Sequence, residues 1–236
     1  MKKAIVYILT LTILILGTTA NAASINLEIP KVEGSFSVRN GILFGMSGKE
    51  VEQIEKKQGS EEAIDSGNWK KYIVYEGSVA GYSQSTIHYY FVDNNNMEDL
   101  YSFDYMFGMY DSWSASAATK VFNEMADAII NKYGKPIYTA KDEVLFPILS
   151  SAYNYLGVVD DFYDLRDFSQ WIVEYDDEYV VIDVVLSQMN RSIISSEYPY
   201  YCHVGYRRIS KQEFEQIISQ IETTQQNNED AKNNDL

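Results

Sequence analysis

The sequence predicts an α+β protein of two tandem modules, each a helix followed by an antiparallel meander, with the helices packed on one sheet face. Three segments carry helix-start residues and an apolar period of about 3.6, whereas the segments between them alternate apolar and polar side chains. The strands follow one another in runs after each helix, which is typical of antiparallel meanders and not of alternating parallel units.

The first predicted helix lies in the stretch FGMSGKEVEQIEKKQG, residues 44–59. Ser47 is placed to cap its first turn, and Glu50 completes a capping box. A glycine at the end of the stretch supplies the left-handed residue that stops many helices. The last predicted helix repeats the arrangement in ISKQEFEQIISQI, where Ser210 and Glu213 form the box.

The middle helix is predicted from Ser114 to Tyr133, and Gly134 with Pro136 ends it. Residues at helical spacing form its apolar face: Val121, Met125, Ala128, Ile129 and Tyr133. A helix with one apolar stripe needs a larger apolar surface to pack against, and the predicted sheet supplies it.

The predicted strands show their inward faces by alternation. Neighbouring strands present Ile87, Tyr89 and Phe91, followed by Tyr101, Phe103, Tyr105 and Phe107. A later hairpin turns at Asp176–Glu178, with Asp183 opposite an apolar face of Val180, Ile182, Val184 and Leu186. The stretches KYIVYEG and YCHVGYRRIS supply an earlier and a last strand.

The chain divides into five predicted parts. A signal segment, 1–22, and an N-terminal extension, 23–40, precede the first module at 41–108 and the second at 109–222. The last fourteen residues, 223–236, are polar and are predicted to be disordered. Within the second module, residues 141–168 have mixed character, and the stretch YNYLGVVDDFYDLRDF, residues 153–168, is predicted to form a short helix or an ordered loop.

The N-terminus has the features of a secretory signal. Lys2 and Lys3 precede the thirteen-residue apolar run Ala4–Leu16, and Ala20 and Ala22 have the spacing that signal peptidases accept. The alternative is an uncleaved anchor, but thirteen residues fall short of the roughly 20 that cross a bilayer. We therefore expect cleavage near Ala22 and a secreted or extracytoplasmic protein without a membrane span.

Charge and cysteine content limit the possible partners. Removal of Lys2 and Lys3 leaves 17 basic and 34 acidic residues, a net charge of −17. This excess repels phosphate backbones and anionic lipids, so we expect no nucleic-acid partner. Cys202 is the single cysteine, so it forms no disulfide within the chain. It is either a small buried hydrophobe or an intermolecular or reactive thiol.

The stretches ILFGMSGKEVEQIEKKQG and NKYGKP resemble segments of small exported bacterial modules. The first is similar to the opening Gly-Met-Ser/Thr of the SmpA/OmlA outer-membrane assembly lipoprotein family and of β-lactamase-inhibitor-like proteins. The second is similar to their helix-ending Gly-x-Pro. The resemblance implies an α+β fold and a non-catalytic, partner-binding role. Departures are the missing lipid-acceptor cysteine and a first helix that ends QGSEE without proline.

Residues for covalent or metal chemistry are few. His88 and His203 are the only histidines, and neither stands in a ligand pair such as His-x-x-x-His. Cys202 and His203 are adjacent, but neighbouring side chains of a strand point to opposite faces, which argues against a thiol dyad. The sequence therefore predicts no enzyme activity, no cofactor and no metal site.

Tyrosine is the most over-represented side chain, with 20 residues. Its apolar ring and polar tip suit both half-buried sheets and binding surfaces. Tyr198, Tyr200 and Tyr201 flank Pro199 in a predicted loop, so they are the predicted binding residues.

The sequence thus favours an exported, non-enzymatic binding protein that takes a protein partner through an aromatic sheet face or loop. Two alternatives stay open. One is a cell-wall or glycan hydrolase with paired carboxylates, since acidic side chains are abundant. The other is a calcium-dependent structural module centred on the acidic stretch Asp160–Asp167.

Overall fold

The computed structural model describes residues 29–34, 36–62, 72–93, 98–108, 113–140, 163–189 and 200–234. The predicted signal segment, residues 1–22, lies outside the described residues. Within the described ranges, no helix is both long and apolar enough to cross a membrane.

Three helices and ten strands make up the described part of the chain, so the predicted α+β class is confirmed. The helices are α1 (Gly48–Gln58), α2 (Ala115–Tyr133) and α3 (Lys211–Asn234). The strands are β1 (Ser37–Arg39), β2 (Ile42–Leu43), β3 (Glu61–Glu62), β4 (Tyr72–Val79), β5 (Tyr82–Asp93), β6 (Glu98–Phe107), β7 (Tyr138–Thr139), β8 (Tyr163–Tyr175), β9 (Glu178–Met189) and β10 (Tyr200–Ile209).

Eight of the strands form one antiparallel sheet in the order β3-β4-β5-β6-β10-β9-β8-β7. Each half is a meander of sequence neighbours, and the two meanders meet where β6 pairs with β10. This pairing sets Phe103 opposite Tyr206 and Phe107 opposite Cys202. The two helix-and-meander halves therefore share a single sheet.

The first face of the sheet carries an apolar core that crosses both meanders, and we call it the main core. α1 contributes Val51 to this core, and α2 contributes Val121 and Ile129. At the junction of the meanders, the rings of Phe103 and Tyr206 stack with their centroids 4.6 Å apart. The alternation predicted for β5 and β9 is confirmed by a set of buried residues: Ile87, Tyr89, Phe91, Val180, Ile182, Val184 and Leu186.

Strand β6 departs from the predicted alternation at a bulge. Tyr90 of β5 lies opposite Ser102, but Phe91 lies opposite Leu100, so Tyr101 is an extra residue. Leu100 is fully buried and takes the core position that strict alternation assigns to Tyr101. Tyr101 is half-buried.

The predicted helix starts are confirmed. In α1, the backbone nitrogen of Ser47 donates to the Glu50 carboxylate at 2.8 Å, and the reciprocal bond completes the capping box. Ser210 and Glu213 make the same pair of bonds at the start of α3. At α2, Ser114 accepts from the backbone of the third residue after it. Ala128 of its predicted apolar face is exposed.

Helix α3 lies on the opposite side of the sheet from α1 and α2, so the expectation that all helices share one face does not hold for it. Its Phe214 and Ile217 pack against Ile172, Val181 and Ile209, whose side chains point away from the main core. Because β10 ends on Ile209, the chain enters α3 on this second face. The helix also continues to Asn234, through a tail that was predicted to be disordered.

Two further boundaries differ from the sequence prediction. Strand β8 begins at Tyr163, within the stretch that was predicted to be helix or loop. The N-terminal extension is joined to the second half of the sheet, because Lys31 forms a parallel bridge with Glu174. The extension also contains β1, which pairs with β2.

A buried ionic network ties the β1–β2 hairpin to α1 and the sheet. The Glu55 carboxylate is fully buried and accepts from Arg39 Nε at 2.9 Å and from Ser60 Oγ at 2.5 Å. It also accepts from the Tyr89 hydroxyl. Removal of one partner from such a network leaves a buried charge uncompensated, which is costlier than loss of an exposed pair.

We expect Glu55→Ala to lower the free energy of unfolding by about 3–5 kcal/mol, because Arg39 and Tyr89 lose their common partner. Glu52→Ala, which removes an exposed carboxylate of the same helix, should change it by less than about 0.5 kcal/mol. Urea unfolding of both variants measures the difference. Equal midpoints for the two variants would contradict a stabilising role for the network.

Candidate functional site

The three tyrosines predicted to bind a partner do not form one exposed loop. Tyr198 lies outside the described residues, whereas Tyr200 and Tyr201 are the first two residues of β10. Tyr201 is 6% exposed, so the prediction of an exposed loop position is wrong for it. Tyr200 is half-buried and packs against the main core.

Tyr200 belongs to a group of half-buried aromatic side chains at one end of the central strands. Its backbone nitrogen donates to the carbonyl of Trp113 at 3.3 Å. The ring of Trp113 lies 6.1 Å from that of Tyr82, and Tyr82 meets Phe107 edge to face at 5.8 Å. We call Tyr82, Trp113 and Tyr200 the aromatic patch.

The backbone beside the patch fits the Trp113 ring only because residue 108 is glycine. Gly108 has a φ of +84°, and a Cβ added to it would lie 2.6 Å from Cδ2 of Trp113. Real Cβ atoms do not approach other atoms so closely, so the indole occupies the space of the missing side chain. The ring is thereby held in place at the end of β6.

The third ring of the patch is held by a carboxylate. The Tyr82 hydroxyl donates to Glu124 of α2. This hydrogen bond raises the pKa of Tyr82 to about 12, with burial and the Glu124 charge acting in the same direction. The phenol is therefore neutral at physiological pH, and its orientation is tied to α2.

The second face of the sheet carries a row of polar residues across its central strands. Cross-strand pairing places them side by side from β5 to β8: His88, Asp104, Gly205, Asp183 and Gln170. At the β8 end of the row, Gln170 Nε2 donates to Asp183 Oδ1 at 2.6 Å, and at the β5 end His88 Nδ1 lies 3.2 Å from Asp104 Oδ1. Asp104, Asp183 and Gln170 are each 6% exposed, so this is a buried polar face.

Asp104 is the centre of a buried histidine–carboxylate–histidine cluster. Its Oδ1 lies 3.2 Å from His88 Nδ1, and its Oδ2 lies 3.2 Å from His203 Nε2. The Tyr90 hydroxyl donates to Oδ2 at 3.0 Å. The imidazole of His203 reaches Asp104 across Gly205, where a Cβ would come within 3.0 Å of the ring.

The cluster keeps one carboxylate ionised inside the protein. Burial alone raises the pKa of Asp104, but attraction to His88 and His203 and the bond from Tyr90 outweigh it and hold the pKa below its usual range. Burial lowers the pKa of His88, against the opposing attraction of Asp104. Both imidazoles therefore face one carboxylate.

Cys202 is separated from this cluster by the sheet itself. Its side chain is fully buried in the main core, whereas His203 points to the second face. Burial raises the pKa of the Cys202 thiol, which keeps it protonated. Of the two readings of the sequence, a small buried hydrophobe agrees with this position.

The acidic stretch of the calcium alternative is only partly described. Asp160 and Asp161 lie outside the described residues, while Asp164 and Asp167 are in strand β8. The Oδ1 atom of Asp167 accepts from the backbone nitrogen of Phe168 at 2.8 Å. Within the described ranges, no group of three or more His, Cys, Asp or Glu side chains is arranged to hold a metal ion.

Comparison with known proteins finds no relative. No protein-family model, curated protein or solved structure matches this chain. The resemblance to the SmpA/OmlA and β-lactamase-inhibitor-like modules therefore stays a prediction. The molecule is defined by its own geometry: an α+β protein with one antiparallel sheet, an aromatic patch at one end of its central strands and a buried polar second face.

We expect Gly108→Ala to destabilise the protein more than a positive φ alone explains, because the new methyl group overlaps Trp113. Gly59→Ala is the matched control: Gly59 has a φ of +78° and nothing within 4 Å of the added carbon. Left-handed alanine costs about 1 kcal/mol, and overpacking adds roughly 1–3 kcal/mol. Thermal unfolding followed by tryptophan fluorescence compares the two, and equal losses would contradict the packing argument.

We expect the free energy of unfolding to fall as the pH falls from 7.5 to 5. The folded pKa of His88 lies below the unfolded value of about 6.5. Below pH 6.5 the unfolded state therefore binds more protons than the folded state, and stability is lost. The depressed pKa of Asp104 adds a second loss at lower pH.

His88→Gln tests the assignment, since it keeps a hydrogen-bond donor near Asp104 but removes a titrating group. The sequence has only two histidines, so few other groups titrate in this window. Urea unfolding between pH 5 and pH 7.5 should show a smaller slope for the variant. A variant with the full slope of the original protein would place the titration elsewhere.

Proposed function

We propose that this chain is an exported, non-enzymatic protein that binds a protein partner through the aromatic patch. The observation that supports it is the grouping of Tyr82, Trp113 and Tyr200, which are half-buried and held in fixed positions. Tryptophan and tyrosine contribute most often to the binding energy of protein interfaces. Export is proposed from the signal-like N-terminus.

Rigidity of the patch supports a binding role. The Trp113 ring rests against Gly108, the Tyr82 hydroxyl is bonded to Glu124, and Tyr200 is anchored by the strand hydrogen bonds of β10. Side chains that are already ordered lose little conformational freedom on association. A partner that covers these rings gains apolar contact without ordering them first.

The positions of the chemically reactive groups agree with a non-enzymatic role. The thiol of Cys202 is buried and protonated, and both histidines are directed at one carboxylate. Nucleophilic catalysis needs a base that faces the nucleophile, but Cys202 and His203 lie on opposite faces of the sheet.

A glycan hydrolase with paired carboxylates is the alternative. Asp104 and Asp183 are buried acids on the same sheet face, two strands apart, or about 10 Å between their Cα atoms. Such an enzyme needs one acid that keeps its proton near neutral pH. The lowered pKa of Asp104 suits only the ionised partner of such a pair, and Asp104 and Asp183 are both buried, with Asp183 bonded to Gln170, so the binding role is favoured.

We expect the double variant Trp113→Ala/Tyr200→Ala to lose about 100-fold or more in affinity for a captured partner, since each hot-spot ring contributes roughly 2 kcal/mol. The partner is first captured from the culture medium or envelope extract with the original protein. Its affinity for each purified variant is then measured by surface plasmon resonance. Unchanged affinity for a folded double variant would remove the patch as the binding site.

Two controls keep the comparison interpretable. Tyr101→Ala removes an aromatic ring from the half-buried bulge of β6, away from the patch, and should leave the affinity unchanged. Tyr200→Glu adds a charge to the patch while Trp113 stays in place, and it should also weaken binding. Circular dichroism of every variant shows whether the fold is retained.

A further inference from the structure

A pocket opens at the other end of the central strands, between the β1–β2 hairpin and the β8–β9 turn. Its volume is about 300 Å³, and it is lined by Phe36, Leu43, Phe44, Tyr175, Asp176 and Glu178. This size is at the lower end of the range for ligand pockets, roughly 300–1,000 Å³. It therefore suits a single side chain better than a large ligand.

Three aromatic rings form one side of the pocket. The ring centroid of Phe36 lies 5.9 Å from that of Phe44 and 5.8 Å from that of Tyr175, and the last two are 6.5 Å apart. Phe36 and Tyr175 are buried, while Phe44 and Leu43 are half-buried. The negative faces of aromatic rings attract cations within about 6 Å.

The rim of the pocket is acidic. The turn EYDDEY contains four carboxylates, and Asp176 and Asp177 both have positive φ, 40° and 63°. Hairpin turns of this type are least strained with Asn-Gly, so the two aspartates add backbone strain and mutual repulsion. The turn therefore holds several carboxylates close together at the mouth of the pocket, in spite of these energetic costs.

The protein's own cations neutralise only part of this charge. Lys31 pairs with Glu174 at 2.7 Å, and Arg208 Nε lies 3.7 Å from Glu178 while its Nη2 is bonded elsewhere. Asp176 is exposed, and no cation pairs with it within the described part of the chain. The rim thus keeps a carboxylate available to a ligand.

The same aromatic group already attracts a cation from within the protein. The Lys132 Nζ atom lies 5.9 Å from the ring centroid of Phe36 and 4.8 Å from that of Tyr133. Lys132 is exposed and has no ion pair among the described residues that accounts for this position. The ring of Phe36 therefore already lies within cation–π distance of an ammonium group.

We propose that the pocket binds a lysine or arginine side chain of a protein partner. The aliphatic stem would lie along Leu43 and Phe44, and the charged head would meet Asp176. The strongly acidic chain also attracts a basic partner over longer distances. This inference goes beyond the aromatic patch, because the two sites lie far apart. Tyr200 of the patch and Arg208, which lies beside Glu178 of the pocket, are at opposite ends of β10, about 27 Å apart.

The test is an NMR titration of the ¹⁵N-labelled protein with the blocked tripeptide acetyl-Gly-Lys-Gly-amide. The matched ligand carries norleucine in place of lysine, so it keeps the stem and lacks the ammonium group. We expect saturable shifts at residues 43–44 and 175–178 with the lysine peptide alone. Asp176→Asn and Phe44→Leu should each raise its Kd about threefold to tenfold.

Asp127→Asn is the control, because Asp127 is an exposed aspartate on α2 and its removal changes the net charge equally. Its Kd should stay at the original value. Equal binding of the norleucine peptide, or unchanged Kd in both pocket variants, would overturn the proposal. Binding of tetramethylammonium but not of the lysine peptide would also overturn the proposal, because it would assign the pocket to a small ammonium ligand. Partner capture through Trp113 and Tyr200 is measured separately, so failure of one proposal leaves the other intact.

Discussion

The pairing of β6 with β10 is the interaction on which the rest of the structure depends. Each meander alone would leave the hydrogen-bonding edge of β6 or β10 open. Because β6 and β10 join, the two apolar faces become one continuous core, and the stack of Phe103 on Tyr206 closes the seam. The same pairing brings Asp104 beside the strand of His203, so the polar cluster of the second face is also its product.

The two faces of this sheet differ in the side chains that they bury. The main core holds the aromatic and aliphatic side chains and supports both surface sites at opposite ends of β10. The second face buries acids and imidazoles that lie close to one another, and it also receives α3. Burial of ionisable groups in a sheet adds sensitivity to pH that an apolar face does not have.

Local features of the fold could be predicted from the sequence, and long-range ones could not. The capping boxes at Ser47 and Ser210 and the inward faces of β5 and β9 depend on residues close together in the chain, and they are confirmed. The β6–β10 pairing, the bulge at Tyr101 and the side taken by α3 depend on contacts between distant segments, for which one sequence holds no direct signal.

The candidate site divides in the same way. Tyr200 was found from its tyrosine-rich neighbourhood, whereas Trp113 and Tyr82 join it only through folding. Alternation places His88, Asp104 and His203 on the polar side of their own strands. It does not show that these three strands are neighbours whose polar sides form one face of a common sheet. The loop prediction is wrong for Tyr201, because the neighbouring Pro199 suggests a loop but β10 already begins at Tyr200.

The pairing of β6 with β10 also limits when the sheet can form during synthesis of the chain. More than ninety residues separate Phe107 at the end of β6 from Tyr200 at the start of β10. Until that last strand has been synthesised, β6 presents an open hydrogen-bonding edge, and such edges recruit other strands. A contact between segments so far apart also slows folding. The edge of β6 therefore stays open while the residues between Phe107 and Tyr200 are synthesised, and it is closed only by β10, which lies in the last 37 of the 236 residues.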